Sequence, residues 1–469
     1  MSILFIFRKS WYTFSRSSAQ IQKKGGFPVA YSVGVVSLGC NKNRVDTETA
    51  LGLLQDDGFV FTPRPEDADV LMVNTCGFID SAKEESINTI LEMAQFKETG
   101  KCRLLVVTGC LVQRYEKDLL KELPEIDILL GVNQYGQLPA MIRKALEGKA
   151  APAVSACADD FSYCEHRRVL TTPAYSAYIR IGEGCSNRCT FCAIPLIRGP
   201  YRSRGEEQIL AEIRDLAARG VREHILVAQD TTRYGTETHE HTTLPALMKK
   251  AAEIDGVDWL RVLYCYPDET NDELLDVLAD HPKVCPYLDI PVQHVNAELL
   301  RRMHRRGTRD DILRCVRGAR DRGLTLRTSI IVGFPGETED QFRELLDFVE
   351  ETEFDRLGAF TYSPEEGTPA AKMPDQVPDE VKQERFDRLM TLQQKISRRR
   401  NEARIGSVEQ VLVTAAGDGE VCLGRSSREA PETDGEIYVR CGGKVPESGL
   451  FIPVRITEAG DYDLKGEML

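Results

Sequence analysis

Nine short apolar runs, each followed by a helical stretch, recur along this chain in two series, and that alternation restricts its fold more than any other feature. VGVVSL, DVLMVN and RLLVVTG form the first series, over residues 32–148. YSAYIRI, EHILVAQ, WLRVLYC, YLDIPV, TLRTSIIVGF and DRLGAFTYS form the second, over residues 171–401. Strands alternating with helices imply a parallel sheet with helices on its faces. Six units fall short of the eight that close a complete barrel, so the second series predicts a partial (β/α)6 barrel. That series ends on a charged, Gln-rich helix, VKQERFDRLMTLQQKISRRRNEAR. Residues 402–469 follow as short alternating strands with Gly-rich turns, the pattern of a small β-barrel. The expected class is therefore α/β: an N-terminal parallel-sheet α/β domain, a partial barrel and a C-terminal small β-barrel. Ser81 is the expected N-cap of SAKEESINTILEMAQ, and AAPAVSACADD the expected linker between the two series.

Residues 1–30 stand apart, with five Lys/Arg, no acid and many Ser. The composition resembles an organelle transit peptide or a weak secretory signal; the other reading is a tail translated from upstream of the true start. Either reading predicts poor order there.

An apolar fraction of 42% over 469 residues excludes a wholly disordered chain. No apolar run approaches the roughly 18 residues of a spanning helix, so no membrane association is expected. Sixty Lys/Arg against 73 Asp/Glu leave a net charge of −13, which favours a basic partner over a polyanion. The last segment, 401–469, holds 7 Lys/Arg and 13 Asp/Glu, or −6, the opposite sign to an RNA-gripping barrel. Nucleic acid is accordingly disfavoured as a direct substrate. Fourteen cysteines in a long chain do not form a disulfide scaffold; their ligand-like spacing points to metal, a reducing compartment and the cytoplasm.

The strongest local signal is GEGCSNRCTFCAIP, in which Cys185, Cys189 and Cys192 form C-x3-C-x2-C directly after the first strand of the second series. Three thiolates on one loop can hold three irons of a cubane cluster and leave the fourth open, whereas ordinary electron-transfer clusters use four cysteines. An open iron invites a small ligand with amino and carboxylate donors, here S-adenosylmethionine. A zinc knuckle would need a fourth Cys or His nearby, and none follows within thirty residues.

A second trio is dispersed. Cys40 follows VVSLG, Cys76 follows LMVNT and Cys110 follows LVVTG, each where a strand gives way to a helix. In a parallel sheet those positions share one edge, where ligands of open α/β folds bind. Taken singly, each would read as a buried structural cysteine; three at equivalent positions favour a cluster. Gly39, Gly77 and Gly109 beside them would allow close backbone approach to a bulky inorganic group. Cys102, Cys157, Cys164, Cys265, Cys285, Cys315, Cys422 and Cys441 lack ligand spacing and read as core or incidental surface residues. His294 is either a polar pocket residue or a satisfied structural histidine.

The three-cysteine loop, with Phe191 before its last cysteine, resembles the radical S-adenosylmethionine superfamily. SLGCNKN, NTCGF and VTGC upstream and a small β-barrel of TRAM type downstream make the chain similar to the methylthiotransferases. Asn41-Lys42-Asn43 followed by VDTE, the segment Gly77–Lys83, DIPVQH, RRMHRRGT and FDRLGAFTYSPEEGTPA resemble the RimO branch, rather than the branch that modifies tRNA adenosine. The resemblance implies two [4Fe–4S] clusters, one on Cys185, Cys189 and Cys192 and one on Cys40, Cys76 and Cys110. It also implies S-adenosylmethionine as cofactor, with Phe191 near the adenine. The implied substrate is ribosomal protein S-twelve of the small subunit, modified at the β-carbon of one aspartate, with an external electron donor and sulfur source. Further cofactor contacts are expected from Gln229, Asp230, Gln293, Arg327 and the turn Gly333–Glu337, although a VGFPGE turn could equally be a plain helix start. A rival of another class is a non-catalytic iron–sulfur protein that binds ribosomes or RNA.

Overall fold

A computed structural model of the chain describes residues 10–11, 31–149, 167–238 and 242–469. The expected N-terminal extension, apart from Ser10–Trp11, and the AAPAVSACADD linker lie outside the described residues. The chain divides into two compact units: residues 1–173 with 183–186 and 193–201, and residues 174–182, 187–192 and 202–469.

The first unit is built on four parallel strands that lie side by side in chain order: β1 (Ser32–Ser37), β2 (Val70–Thr75), β3 (Leu104–Gly109) and β4 (Ile128–Leu130). Ser10–Trp11 pairs antiparallel with β1 and Val60–Phe61 pairs parallel with it. Helices α1 (Asn41–Asp56), α2 (Asp80–Ala94), α3 (Cys110–Glu122) and α4 (Leu138–Leu146) connect or cover the strands. Every residue of β2 and of β3 is buried, as expected of a parallel sheet covered on both faces. Val33, Val35, Met72 and Val106 pack with Leu51 and Leu54 of α1 and Ile142 of α4. The alternate residues Val36, Val73 and Val107 pack with Ile90 and Met93 of α2 and Leu119 of α3. Helix α2 starts at Asp80 with Ile79 at its cap, so Ser81 lies inside the first turn and is not the N-cap. The Asp80 charge at that end suits the helix dipole instead. A short helix, α5 (Ile194–Arg198), also belongs to this unit.

The second unit opens with two parallel three-stranded sheets. One comprises β5 (Ser176–Arg180), β6 (Glu223–Val227) and β7 (Trp259–Val262); the other comprises β8 (Tyr287–Gln293), β9 (Thr325–Val332) and β10 (Arg356–Thr361). They meet where Leu260 bridges Val284, which gives six parallel strands in chain order and the expected partial barrel. A 24-residue helix, Asp379–Glu402, leads out of it. Five strands then close the small barrel: β11 (Val408–Ala416), β12 (Val421–Ser426), β13 (Ile437–Arg440), β14 (Phe451–Ala459) and β15 (Leu464–Met468), in the order β11-β12-β13-β15-β14.

This small barrel is seated on the amino ends of the six parallel strands. Glu223, first in β6, takes Arg425 (2.9 Å) and Arg261 (3.2 Å). Trp259, first in β7, meets Phe451 edge-on at 4.6 Å. The Tyr287 hydroxyl, first in β8, donates to Asp434 at 2.7 Å, and Arg356, first in β10, pairs with Glu429 at 3.1 Å. The carboxyl ends of the strands lie at the opposite end. Among the described residues no helix is long and apolar enough to cross a membrane.

Candidate iron–sulfur and cofactor sites

Strand register explains how Cys40, Cys76 and Cys110 come together. Ser37 pairs with Asn74 and Asn74 with Thr108, so these three residues stand level across β1, β2 and β3. The cysteines follow three, two and two residues later, on adjacent strands about 4.8 Å apart. Cys76 and Cys110 are buried, while Cys40 is exposed. The glycines beside them lie tight against neighbouring protein atoms. A Cβ on Gly39 would lie 3.0 Å from the Cys76 Cβ, one on Gly77 would lie 2.9 Å from the Cys110 carbonyl carbon, and one on Gly109 would lie 2.5 Å from the Thr75 oxygen. They let the three cysteine-bearing turns close on one another.

Two polar side chains hold this edge. The Asn43 amide donates to Leu38 O (3.0 Å) and Thr75 O (2.9 Å), fastening β1 to β2. Ser86 of α2 accepts from the Cys76 N–H (3.1 Å) and donates to its carbonyl (3.0 Å). Arg198, at the end of α5, donates to Asn43 Oδ1 (2.6 Å), Asp46 (2.8 Å), Glu183 (3.1 Å) and Cys110 Sγ (3.4 Å). Burial pushes the Cys76 thiol well up, reinforced by its neighbours Cys110 and Cys40. Burial also raises Cys110, against the pull of Arg198. Burial works against the Arg198 charge, but Asp46, Cys110 and Glu183 more than offset it. Asn43, Asp46, Glu183 and Arg198 were not singled out as site residues from the sequence. The polar residues Asn43, Asp46 and Thr47, at the start of a helix that packs on the sheet and all 0% exposed, were the signal for the first two; Glu183 and Arg198 had no local signal.

The donor set suits an iron–sulfur cluster. None of the three cysteines is in a disulfide, and the Cys76 and Cys110 thiols, raised by burial, gain from the positive charge that iron would supply. Among the described residues no three His, Cys, Asp or Glu side chains close around a single metal ion. A cubane would not require that, because each of the three thiols would bind a different iron.

The C-x3-C-x2-C loop is divided between the units. Cys185, in the first, is buried and its N–H donates to Gly199 O at 3.0 Å. Cys189 and Cys192, in the second, are tied by the Cys192 N–H to the Cys189 carbonyl (3.0 Å). Cys189 Sγ accepts from Arg305 at 3.6 Å, and Arg305 in turn stacks on Tyr266 at 4.2 Å. Phe191 packs against Leu299, Met303, Phe334, Tyr362 and Ala370.

Five of the remaining expected contacts lie at or beyond the carboxyl ends of strands. Gln229 and Asp230 follow β6; Asp230 is wholly buried, accepts from Asn187 (2.8 Å) and Arg306 (3.3 Å), and is raised by burial. Gln293 ends β8 at a bulge with φ +71°. Gly333 follows β9 with φ +73°, and Glu337 turns inward to accept its N–H at 2.9 Å. Burial lifts the Glu337 carboxyl to about 7, against the pull of Arg385 at 2.9 Å. Arg327 does not join this set. It is third in β9, near the amino end, and pairs with Asp289 at 2.7 Å and Asp434 at 3.9 Å, so its charge belongs to the seam under the small barrel. His294 is wholly buried: Nδ1 accepts from Asn296 N at 3.0 Å, Nε2 has no hydrogen-bond partner among the described residues and lies 3.9 Å from Glu337, and burial with Arg385 lowers its pKa to about 3.

Of the eight other cysteines, Cys157 and Cys164 lie outside the described residues and the other six are buried core residues. Burial lifts Cys285 to about 11 and Cys315 to about 12.

Comparison with known proteins agrees with this architecture. The Radical SAM superfamily matches residues 179–349, the uncharacterized protein family UPF0004 residues 32–131, and the TRAM domain residues 405–469. The chain is 49% identical over 444 residues to the ribosomal protein uS12 methylthiotransferase RimO of Desulforamulus reducens, covering 93% of this chain and 99% of that one. It is 50% identical over 441 residues to the RimO of Heliobacterium modesticaldum, covering 93% and 95%. Among solved structures, the radical S-adenosylmethionine methyltransferase TsrM of Kitasatospora setae, solved with cobalamin and a [4Fe–4S] cluster, shares the fold. Its TM-score is 0.54 at 16% identity, over 73% of this chain and 74% of that one. Trios of cysteines at two strand–helix edges, on this fold and with full-length relatives so similar, leave one assignment: the chain belongs to the RimO family of radical S-adenosylmethionine methylthiotransferases.

Proposed function

We propose that this chain adds a methylthio group to the β-carbon of an aspartate in ribosomal protein uS12. Cys185, Cys189 and Cys192 would hold one [4Fe–4S] cluster and Cys40, Cys76 and Cys110 a second. The observation that carries the reading is the convergence of Cys40, Cys76 and Cys110 at one sheet edge, in a chain that also has the C-x3-C-x2-C loop. When bound, the clusters and S-adenosylmethionine supply one-electron cleavage, hydrogen abstraction from an unactivated carbon and sulfur transfer, which no side chain can perform as acid or base. The chain's own residues hold and shield. Asn43 and Ser86 fix the turns that bear Cys40 and Cys76, Arg198 and Arg305 each donate to one ligand thiol, and the apolar shell around Phe191 keeps water out. The acidic balance of the last segment supports a basic protein substrate over RNA. The electron donor and the sulfur source are separate partners, and the reducing cytoplasm is the compartment that suits both clusters.

The test is anaerobic reconstitution with iron and sulfide, followed by reductant, S-adenosylmethionine and uS12, with mass analysis of protein and cofactor products. Alanine at Cys185, Cys189 or Cys192 should abolish both cofactor cleavage and product. Alanine at Cys40, Cys76 or Cys110 should abolish methylthiolation and leave cleavage largely intact. Equal loss of cleavage in both sets would break this division of labour. A methylthio group found on a tRNA nucleoside instead of uS12 would move the chain to the tRNA branch, and absence of 5′-deoxyadenosine would leave a non-catalytic iron–sulfur protein.

A further inference from the structure

Arg198 lies six residues after Cys192 and is 1% exposed. Asp46 at 2.8 Å and Glu183 at 3.1 Å grip its two terminal nitrogens and fix the plane of the guanidinium. Nη2 is also directed at Cys110 Sγ (3.4 Å) and at Asn43 Oδ1 (2.6 Å), the side chain that straps β1 to β2. The next residue, Gly199, accepts from the Cys185 N–H at 3.0 Å. A buried charge shared among carboxylates is weak evidence for a purely stabilising role, since apolar packing would serve stability as well or better.

We propose that Arg198 is a positioning residue that donates a charge-assisted hydrogen bond to the Cys110 ligand and thereby raises the reduction potential of the cluster on Cys40, Cys76 and Cys110. The inference rests on the proposed assignment of those three cysteines as cluster ligands. Net charge and hydrogen bonds to sulfur set the potentials of such clusters. Reduction by one electron, supplied by an added reductant, makes the cluster more negative, and an N–H donor bearing positive charge favours that state. Without Arg198, the Asp46 charge that bears on Cys110 would lose the guanidinium it pairs with, which shifts the potential further in the same direction.

The full chain with Cys185, Cys189 and Cys192 replaced by Ala would carry this cluster alone after anaerobic reconstitution, and its potential can be titrated by electron paramagnetic resonance. At the midpoint of that protein, Arg198→Gln should lower the ratio of reduced to oxidised cluster at least tenfold, a shift of about 59 mV for one electron. Arg198→Lys, which keeps the charge and loses the planar fork, should fall between. An unchanged midpoint at full iron content overturns the proposal. Should Arg198→Gln fail to hold iron, the arginine-containing protein labelled with 15N-arginine still decides. A guanidinium nitrogen coupled to the reduced cluster supports the bond to sulfur, and its absence overturns it. Failure of the arginine-containing protein to form any cluster would instead refute the ligand assignment itself and take this inference with it.

Discussion

Gly109→Ala tests the packing that brings the second trio together without touching a ligand. Gly109 has φ +101° and ψ −160°, a region almost confined to glycine, where another residue costs about 1–3 kcal/mol. Its new Cβ would also lie 2.5 Å from the Thr75 carbonyl and overlap Asn74 Oδ1. Overpacking of that kind costs about 1–3 kcal/mol, and here one of the opposing atoms is backbone. The sum, roughly 2–6 kcal/mol, is a large part of the 5–15 kcal/mol that holds a typical domain folded. The structure can relieve the overlap by spreading β2 from β3 where Cys76 and Cys110 begin. The expected result is a lower urea midpoint and a loss of iron in the protein that carries only the Cys40, Cys76 and Cys110 cluster. In the otherwise native chain, reductive cleavage of S-adenosylmethionine should persist. Gly148→Ala is the control: its φ is +76° with nothing within 4 Å of the added Cβ, so it should cost about 1–2 kcal/mol and no iron. A Gly109→Ala protein with native midpoint and full iron would refute the role given to these glycines.

Ser86→Ala strips both backbone groups of Cys76 of a buried partner and should cost about 1–3 kcal/mol and part of the iron at that site, read by denaturation and iron analysis. Burial works against the Glu223 charge, but Arg425 and Arg261 hold its carboxyl down to about 2, below the unperturbed 4.5. Its contribution is therefore complete above pH 4.5 and lost as pH falls through about 2. Thermal melts should show that acid slope. Glu223→Gln should flatten it and cost about 3–5 kcal/mol at neutral pH, because Arg261 and Arg425 stay buried; an undiminished slope in the variant would count against the assignment. Thr338→Ala removes a capping box at the start of helix Glu339–Thr352 and should lower stability by about 1 kcal/mol, measured as a shift in the thermal midpoint.

The strands were legible because a parallel strand buried on both faces is a nearly continuous apolar run, and VLMVNT and LLVVTG are buried at every position. The cysteines were legible because each stands where such a run ends, and sheet topology makes those ends neighbours. Arg198 was not. Its partners Asn43 and Asp46 precede it by 155 and 152 residues, and no local pattern encodes a contact over that distance. Arg327 shows a different limit. Period-two alternation places it on a strand but not at one end of it, and only the register with Asp289 assigns it to the amino end. Ser81 met the compositional preference for a cap, yet the chain began its helix one residue earlier, at Asp80.

The small C-terminal barrel is bolted to the floor of the partial barrel, with Glu223, Trp259, Tyr287 and Arg356 as its anchorage. It therefore cannot swing over the mouth as a lid. The strands between floor and mouth run from 4 to 8 residues, a drop of roughly 13–26 Å at ~3.3 Å per residue. A free amino acid or nucleoside cannot touch both ends at once, whereas a folded ribosomal protein can. Cutting off the small barrel should accordingly penalise the intact protein substrate far more than a short peptide carrying the same aspartate.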